Sequence, residues 1–156
     1  MSIRIDAEDL LIALEIHDPE TDHYLDLQTG EVILAAWSAF DRDEPEYAGF
    51  EAMREDPRYR LVEPVTSGEE WRWMRDFAED SDDPRLKERL LDAIHGSGAF
   101  GRFKRVLSST PEARDAWFRF REERLLEHAR DWLRYEGIEA ELADLPARRP
   151  DLHPVE

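Results

Sequence analysis

Cysteine is absent from this 156-residue sequence, and so are long apolar runs. Without cysteine the chain can form neither a disulfide nor a thiolate metal site. No stretch approaches the ~20 apolar residues that a membrane-spanning helix requires, so no membrane contact is expected. Residues 1–6 lack the basic start and apolar core of a secretory signal. We therefore expect a cytoplasmic protein.

The composition that remains is that of a folded protein. Hydrophobic residues make up 41% of the chain and aromatic residues 10%, which supplies a core and argues against disorder. The length is typical of one compact domain. We predict a single domain over residues 1–145, followed by a flexible proline-rich tail over residues 146–156.

The net charge of −17 is unevenly distributed along the chain. Residues 1–83 contain 24 acidic and 7 basic side chains, whereas residues 84–156 contain 14 of each. An acidic surface repels the phosphates of nucleic acids, so the first half of the chain is better suited to a partner protein with a basic surface. The alternative is that the charge only keeps the protein soluble.

The clearest strand signals lie in the first half. Polar and apolar side chains alternate over residues 23–28, and residues 31–36 return as a more buried strand. Between them, Thr29 and Gly30 predict a two-residue turn, since such turns require the positive φ that glycine adopts easily. The sequence therefore predicts a β-hairpin.

Alternation also predicts how the side chains are divided between the two faces of the strand. In the first strand Leu25 and Leu27 share one face, and Tyr24 and Asp26 share the other. Residues 58–63 alternate as well and predict a third strand, which makes the sheet more stable than an isolated hairpin.

The other elements are predicted to be helices. Four of them begin at residues that cap helix N-termini, namely Asp6, Ser67, Asp83 and Thr110. Two shorter helices are predicted over residues 46–54 and 99–107. We therefore predict an α+β fold, with a small antiparallel three-stranded sheet over residues 23–63 and a mainly helical C-terminal half.

A glycine-rich and basic segment over residues 96–105 is a candidate anion or partner contact. Gly96 and Gly98 precede a predicted helix whose free N–H groups attract anions, and Arg102, Lys104 and Arg105 add positive charge. As a binding site, this segment would suit a phosphate ligand or nucleic acid, or a contact with a protein. The sequence favours a structural interpretation, with the glycines as turn residues before a helix that buries its two phenylalanines.

Three aromatic side chains are candidate interface residues. Trp73 is predicted to point away from the apolar side of its helix, and an exposed tryptophan often anchors an interface. Trp117 and Phe120 lie outside the apolar stripe of the longest helix. Arginines surround these two residues, which would suit base stacking, but interspersed glutamates favour a solvated face.

No pattern predicts catalysis or metal binding. The closest cluster of metal-ligand side chains, His17, Asp18, Asp22 and His23, matches no standard site. Nucleophile elbows, zinc-protease helices and kinase signatures are absent. We predict no catalytic residues, no metal and no cofactor, and an enzyme is the third hypothesis.

Several distinctive stretches occur in a fixed order along the chain. They lie at residues 24–27, 29–32, 58–64, 71–77, 93–104, 116–121, 129–133 and 137–138, and so span roughly residues 20–138. With them the chain resembles Uncharacterised Protein Family 0158, a set of small bacterial proteins, most specifically over residues 96–104. Members of this family often carry a basic residue where this chain has Ser97, and arginine where it has Gly101. The resemblance implies a bacterial protein and brings no activity, cofactor or catalytic residue.

Together these features favour a non-enzymatic protein-interaction domain, an adaptor or an inhibitor, whose acidic N-terminal half binds a basic protein. The competing hypothesis is a nucleic-acid or phosphate ligand at residues 96–105. The sequence does not determine the oligomeric state.

Overall fold

A computed structural model describes residues 2–143 of the chain. Its strands are β1 (Ile3–Asp6), β2 (Thr21–Asp26), β3 (Val32–Ala36), β4 (Tyr59–Val62) and β5 (Ala140–Ala143). Its helices are α1 (Ala7–Glu15), α2 (Pro45–Glu55), α3 (Ser67–Glu79), α4 (Pro84–Ala93), α5 (Ala99–Ser108) and α6 (Pro111–Tyr135), with a 3-10 turn at Trp37–Ala39. The predicted α+β class is confirmed. The predicted tail over residues 146–156 lies outside the described residues.

The described residues form two compact units. Unit 1 consists of residues 2–64 and 127–143, and it contains all five strands, α1, α2 and the end of α6. Unit 2 consists of residues 65–126, and it contains α3, α4, α5 and the start of α6. The single domain expected over residues 1–145 stays a prediction.

The predicted three-stranded antiparallel sheet is confirmed, with β2 between β3 and β4. The predicted two-residue turn of the hairpin is wrong. The backbone N–H of Asp26 donates to Glu31 O at 2.8 Å and that of Gly30 donates to Asp26 O at 2.8 Å, which leaves a four-residue loop over residues 27–30. The carboxylate of Asp26 also accepts from the backbone N–H of Gln28, and this bond favours the longer loop.

The prediction that the second strand of the hairpin is the more buried one is also wrong, since four residues of β2 are buried and one residue of β3 is buried. Tyr24 and Asp26, expected on the opposite face from Leu25, are each only 3% exposed, whereas Leu27 follows the strand and is half-buried. The reason is that β2 is the central strand, and both α1 and α2 pack against the sheet. Both faces of the strand are therefore covered.

A second sheet was not predicted. Strands β1 and β5 pair in parallel, with Ile3 opposite Ala140 and Ile5 opposite Leu142. Gly30 lies against β1 so closely that an added Cβ would be 2.0 Å from the carbonyl oxygen of Arg4. The hairpin loop and the parallel pair are thus packed together within unit 1.

The predicted helices are confirmed with small shifts at their ends. Asp6 caps α1 by accepting from Asp9 N at 3.0 Å, and Asp83 caps α4 by accepting from Arg85 N and Leu86 N. The cap of α3 is Thr66 rather than the predicted Ser67, since the Thr66 hydroxyl accepts from Glu69 N. Within residues 2–143, no helix is long and apolar enough to cross a bilayer.

Candidate interaction surface

The segment that follows β3 forms a surface of aromatic and acidic side chains. We call residues 37–56 the acidic aromatic surface. Its four aromatic rings are half-buried and pack edge to face, with ring centroids 5.1 Å apart for Trp37–Tyr47, 5.6 Å for Trp37–Phe50 and 5.8 Å for Phe40–Phe50. Such pairs hold one another in fixed orientations. The aromatic part of the surface is therefore ordered.

Helix α2 carries one side of this surface. Pro45 at its first position fixes a helical φ. Its larger apolar side chains Tyr47, Phe50 and Met53 recur three residues apart and so lie on one side of the helix. None of its residues is buried, so α2 covers unit 1 with half-exposed side chains.

Negative charge surrounds the aromatic rings. The acidic aromatic surface contains 7 acidic and 2 basic residues, a net charge of −5. Six of the acidic residues are exposed, namely Asp41, Asp43, Glu46, Glu51, Glu55 and Asp56. The described residues of unit 1 contain 22 acidic and 7 basic residues, against 13 and 12 in unit 2. Most of the acidity of the first half of the chain therefore belongs to unit 1.

Trp37 contacts both the sheet and helix α2. Its indole Nε1 donates to Asp22 Oδ2 at 2.7 Å, and the guanidinium carbon of Arg54 lies 4.5 Å from the ring centroid. Burial raises the pKa of Tyr24, and the nearby Arg54 opposes the increase. Sequence reasoning missed this group of residues, because the predicted strand began at residue 23, whereas β2 begins at Thr21 and so places Asp22 on the same face as Tyr24.

The glycine-rich and basic segment 96–105 connects α4 to α5. Gly96 and Gly98 have φ of 75° and 82°, as expected of turn residues. Arg102 Nε donates to Ala93 O at 2.9 Å, Nη1 donates to Ser97 O at 2.6 Å, and Nη2 donates to His95 O. Arg102 therefore binds the carbonyls at the end of α4.

The rest of this segment faces solvent or the core. Lys104 and Arg105 are exposed. Of its two phenylalanines, Phe103 is 1% exposed and Phe100 is 39% exposed, so only one is buried as the structural interpretation expected. The positive charge that remains available at this segment comes from Lys104 and Arg105.

The candidate interface aromatics lie mostly inside the protein. The predicted outward orientation of Trp73 is wrong, since it is 5% exposed. Trp117 is also 5% exposed, and its ring packs against those of Phe77 and Phe103 in unit 2. Phe120 is half-buried, and the guanidinium carbon of Arg124 lies 4.7 Å from its ring centroid.

Phe120 borders an open groove of about 400 Å³ in unit 2. Its other lining residues are Arg124, Asp76, Glu79 and Asp80. Arg124 Nη1 lies 3.8 Å from Asp76 Oδ2. Of the three candidate aromatics, Phe120 is the one that the structure leaves partly accessible.

Across residues 2–143, no group of three or more histidine or acidic side chains could hold a metal ion. Within the cluster of residues 17–23, Asp22 accepts from Trp37, and His23 is only 9% exposed. Burial lowers the pKa of His23, against the opposing charge of Asp22.

Comparison with known proteins identifies the family. The model of the uncharacterised protein family UPF0158 matches residues 1–152. The UPF0158 protein PA5073 of Pseudomonas aeruginosa is 34% identical over 135 residues, which cover 86% of this chain and 84% of that protein. No solved structure matches. The resemblance found in the sequence is thereby confirmed, and the chain belongs to the UPF0158 family.

Proposed function

We propose that this protein is a non-enzymatic interaction protein, an adaptor or an inhibitor, that binds a basic protein partner through the acidic aromatic surface. The observation that supports this proposal is α2, a helix without a buried residue that presents half-exposed aromatic rings. Seven acidic residues accompany these rings. A cytoplasmic location, expected from the sequence, belongs to the same proposal.

The two components of this surface have different roles in binding. Burial of aromatic side chains by a partner stabilises the complex, and such side chains are common among the residues that contribute most to binding. The acidic residues attract a basic partner over a distance and set the orientation of the encounter. The affinity should therefore fall with salt, since salt screens charges between exposed groups.

A phosphate or nucleic-acid ligand at residues 96–105 remains the alternative. Arg102 donates to backbone carbonyls, which leaves Lys104 and Arg105 as the exposed cations of the segment. Two exposed cations provide little phosphate neutralisation, and the whole of unit 2 carries a net charge of −1. We therefore prefer the protein partner.

A matched pair of charge variants tests the proposal. The surface variant combines Asp43→Asn, Glu51→Gln and Glu55→Gln, all at exposed positions. The control variant combines Asp82→Asn, Glu88→Gln and Asp92→Asn, which remove the same charge from exposed positions in unit 2. Tagged wild-type and variant proteins are purified from the native lysate at low and moderate salt, with and without nuclease. Each captured protein is then purified and its affinity measured by calorimetry.

We expect a basic protein to be captured from the lysate. Its capture should survive nuclease treatment and should be lost at the higher salt concentration. Its affinity should fall on the order of ten-fold in the surface variant at low salt and stay near wild type in the control variant. Equal affinity for both variants would overturn the proposal. Capture of nucleic acid that is lost when Lys104 and Arg105 are replaced by alanine would favour the alternative.

A further inference from the structure

Trp37, Asp22 and Tyr24 are neighbours in unit 1, and we call this group the Trp37 cage. Asp22 and Tyr24 are alternate residues of β2 and so lie on the same face of the sheet. The hydrogen bond from Trp37 Nε1 to Asp22 Oδ2, 2.7 Å long, fixes the plane of the indole. The rings of Tyr47 and Phe50 pack at angles of 67° and 77° to it. The indole is therefore held in place before any partner arrives.

This cage already contains a guanidinium group. Arg54, an exposed residue in the last turn of α2, places its guanidinium carbon 4.5 Å from the centroid of Trp37. The same group interacts with the Tyr24 hydroxyl. Stacking over an indole, beside oxygens that can accept hydrogen bonds, is how proteins recognise arginine. The cage thus has the geometry that an arginine ligand requires.

We propose that the Trp37 cage binds an arginine side chain of the basic partner, and that Arg54 is an internal competitor that leaves the cage when the partner binds. This inference rests on the proposed function and specifies the group that the surface recognises. Arginine is favoured over lysine because its planar guanidinium stacks on an aromatic ring while still donating hydrogen bonds.

The exposure of Arg54 makes this exchange inexpensive. Arg54 is an exposed residue, so its side chain is hydrated once it leaves the ring, and the incoming guanidinium replaces the contact that Arg54 gives up. The net charge of −5 over the acidic aromatic surface attracts the incoming cation. Removal of Arg54 should therefore strengthen binding of an arginine ligand.

Arg42 provides a matched control for Arg54. These two residues are the bases of the acidic aromatic surface, both are exposed, and Arg42 lies in the loop before α2. Arg42→Ala and Arg54→Ala remove the same charge, so both should strengthen general attraction of a cation. A larger effect of Arg54→Ala isolates the competition for the cage.

The test is a titration of the whole protein with two peptides of equal length, one of arginine only and one of lysine only. Its five tryptophans give indole N–H signals in a nitrogen-15 correlation spectrum. The Trp37→Phe variant identifies the Trp37 signal, and the dispersion of the other signals shows that each variant is folded. Affinities come from the same titrations.

We expect the arginine peptide to shift the Trp37 signal and to bind more tightly than the lysine peptide. It should bind Arg54→Ala about two- to five-fold more tightly than Arg42→Ala, the range that an exposed cation–π contact provides. If the arginine peptide binds without shifting Trp37, or if both alanine variants behave alike, the cage inference is overturned and the proposed function survives. Equal affinity for the two peptides overturns the preference for arginine. If neither peptide binds the wild-type protein, both proposals fail.

Discussion

At the scale of the residue, the buried side chain of Asp26 forms hydrogen bonds both with Arg58 and with the hairpin loop. It is 3% exposed, and its oxygens accept from Arg58 Nε at 2.9 Å and Nη2 at 2.8 Å. It also accepts from Gln28 N at 2.8 Å. The hydrogen bonds from Arg58 hold the pKa of Asp26 well below its usual range, although burial opposes this effect. Asp26 therefore ties β2 to the chain beside β4 and shapes the hairpin loop.

Asp26→Asn should lower the free energy of unfolding by about 1–3 kcal/mol, because a charged pair of hydrogen bonds with Arg58 is lost. Urea denaturation at pH 7 measures this change. The control is Glu141→Gln, which breaks the exposed ion pair between Arg4 and Glu141, 3.3 Å long. This substitution should lower the free energy of unfolding much less, because exposed ion pairs contribute little to stability. Equal costs for the two substitutions would contradict the structural role of Asp26.

The same carboxylate makes stability depend on pH. Because the pKa of Asp26 is lower in the folded protein than in the unfolded chain, its contribution is fully present above the unfolded value of about 3.9. It is lost as the pH falls below that value towards the folded pKa. The difference in unfolding free energy between wild type and Asp26→Asn should therefore shrink as the pH is lowered from about 5. A difference that stays constant down to about pH 3 would contradict this expectation.

At the scale of the element, the hairpin loop depends on a glycine that touches β1. Gly30 and Gly137 have similar φ of 83° and 72°. Because an alanine is strained in this backbone conformation, its introduction at either position should lower the free energy of unfolding by about 1–2 kcal/mol. At Gly30 a Cβ would also lie 2.0 Å from the Arg4 carbonyl oxygen, whereas nothing lies within 4 Å at Gly137. Gly30→Ala should be clearly more destabilising than Gly137→Ala in thermal denaturation. Equal costs would show that β1 and the loop separate easily.

The connection between α4 and α5 is held by hydrogen bonds from Arg102 to backbone carbonyls. Arg102→Lys should lower the free energy of unfolding by about 1–3 kcal/mol, since lysine cannot reach the carbonyls of Ala93, His95 and Ser97 together. Added phosphate should leave the melting temperature of the wild-type protein unchanged. A marked increase with phosphate that disappears in Arg102→Lys would instead show that this arginine binds an anion.

At the scale of the whole molecule, the charge is concentrated in one unit. The described residues of unit 1 carry a net charge of −15, and those of unit 2 carry −1. Like charges at this density repel one another and destabilise the folded state, and salt screens that repulsion. The melting temperature should therefore rise between about 0.01 M and about 1 M sodium chloride. The increase should be smaller in the Asp43→Asn, Glu51→Gln, Glu55→Gln variant, and a melting temperature that falls with salt would contradict the argument.

Much of the secondary structure follows from local sequence. Asp6 and Asp83 cap their helices because a side-chain oxygen and a backbone N–H two or three residues away meet in almost any tertiary setting. The hairpin and the long helix α6 follow in the same way from alternation and helical periodicity. The excess of acidic residues and the family were also visible in the sequence.

Contacts between residues distant in sequence determine the second sheet, the burial of individual side chains and the partners of the charged groups. The pairing of β1 with β5 joins residues 137 positions apart, and four-residue strands leave no pattern that identifies such a partner. The burial of Tyr24, Asp26 and Trp73 depends on what covers them, which helical or strand periodicity does not specify. Arg102 and Arg54 show the same limit at the candidate sites. Sequence spacing assigns a charge to each position, but only the tertiary structure determines whether that charge meets a carbonyl, an indole ring or solvent.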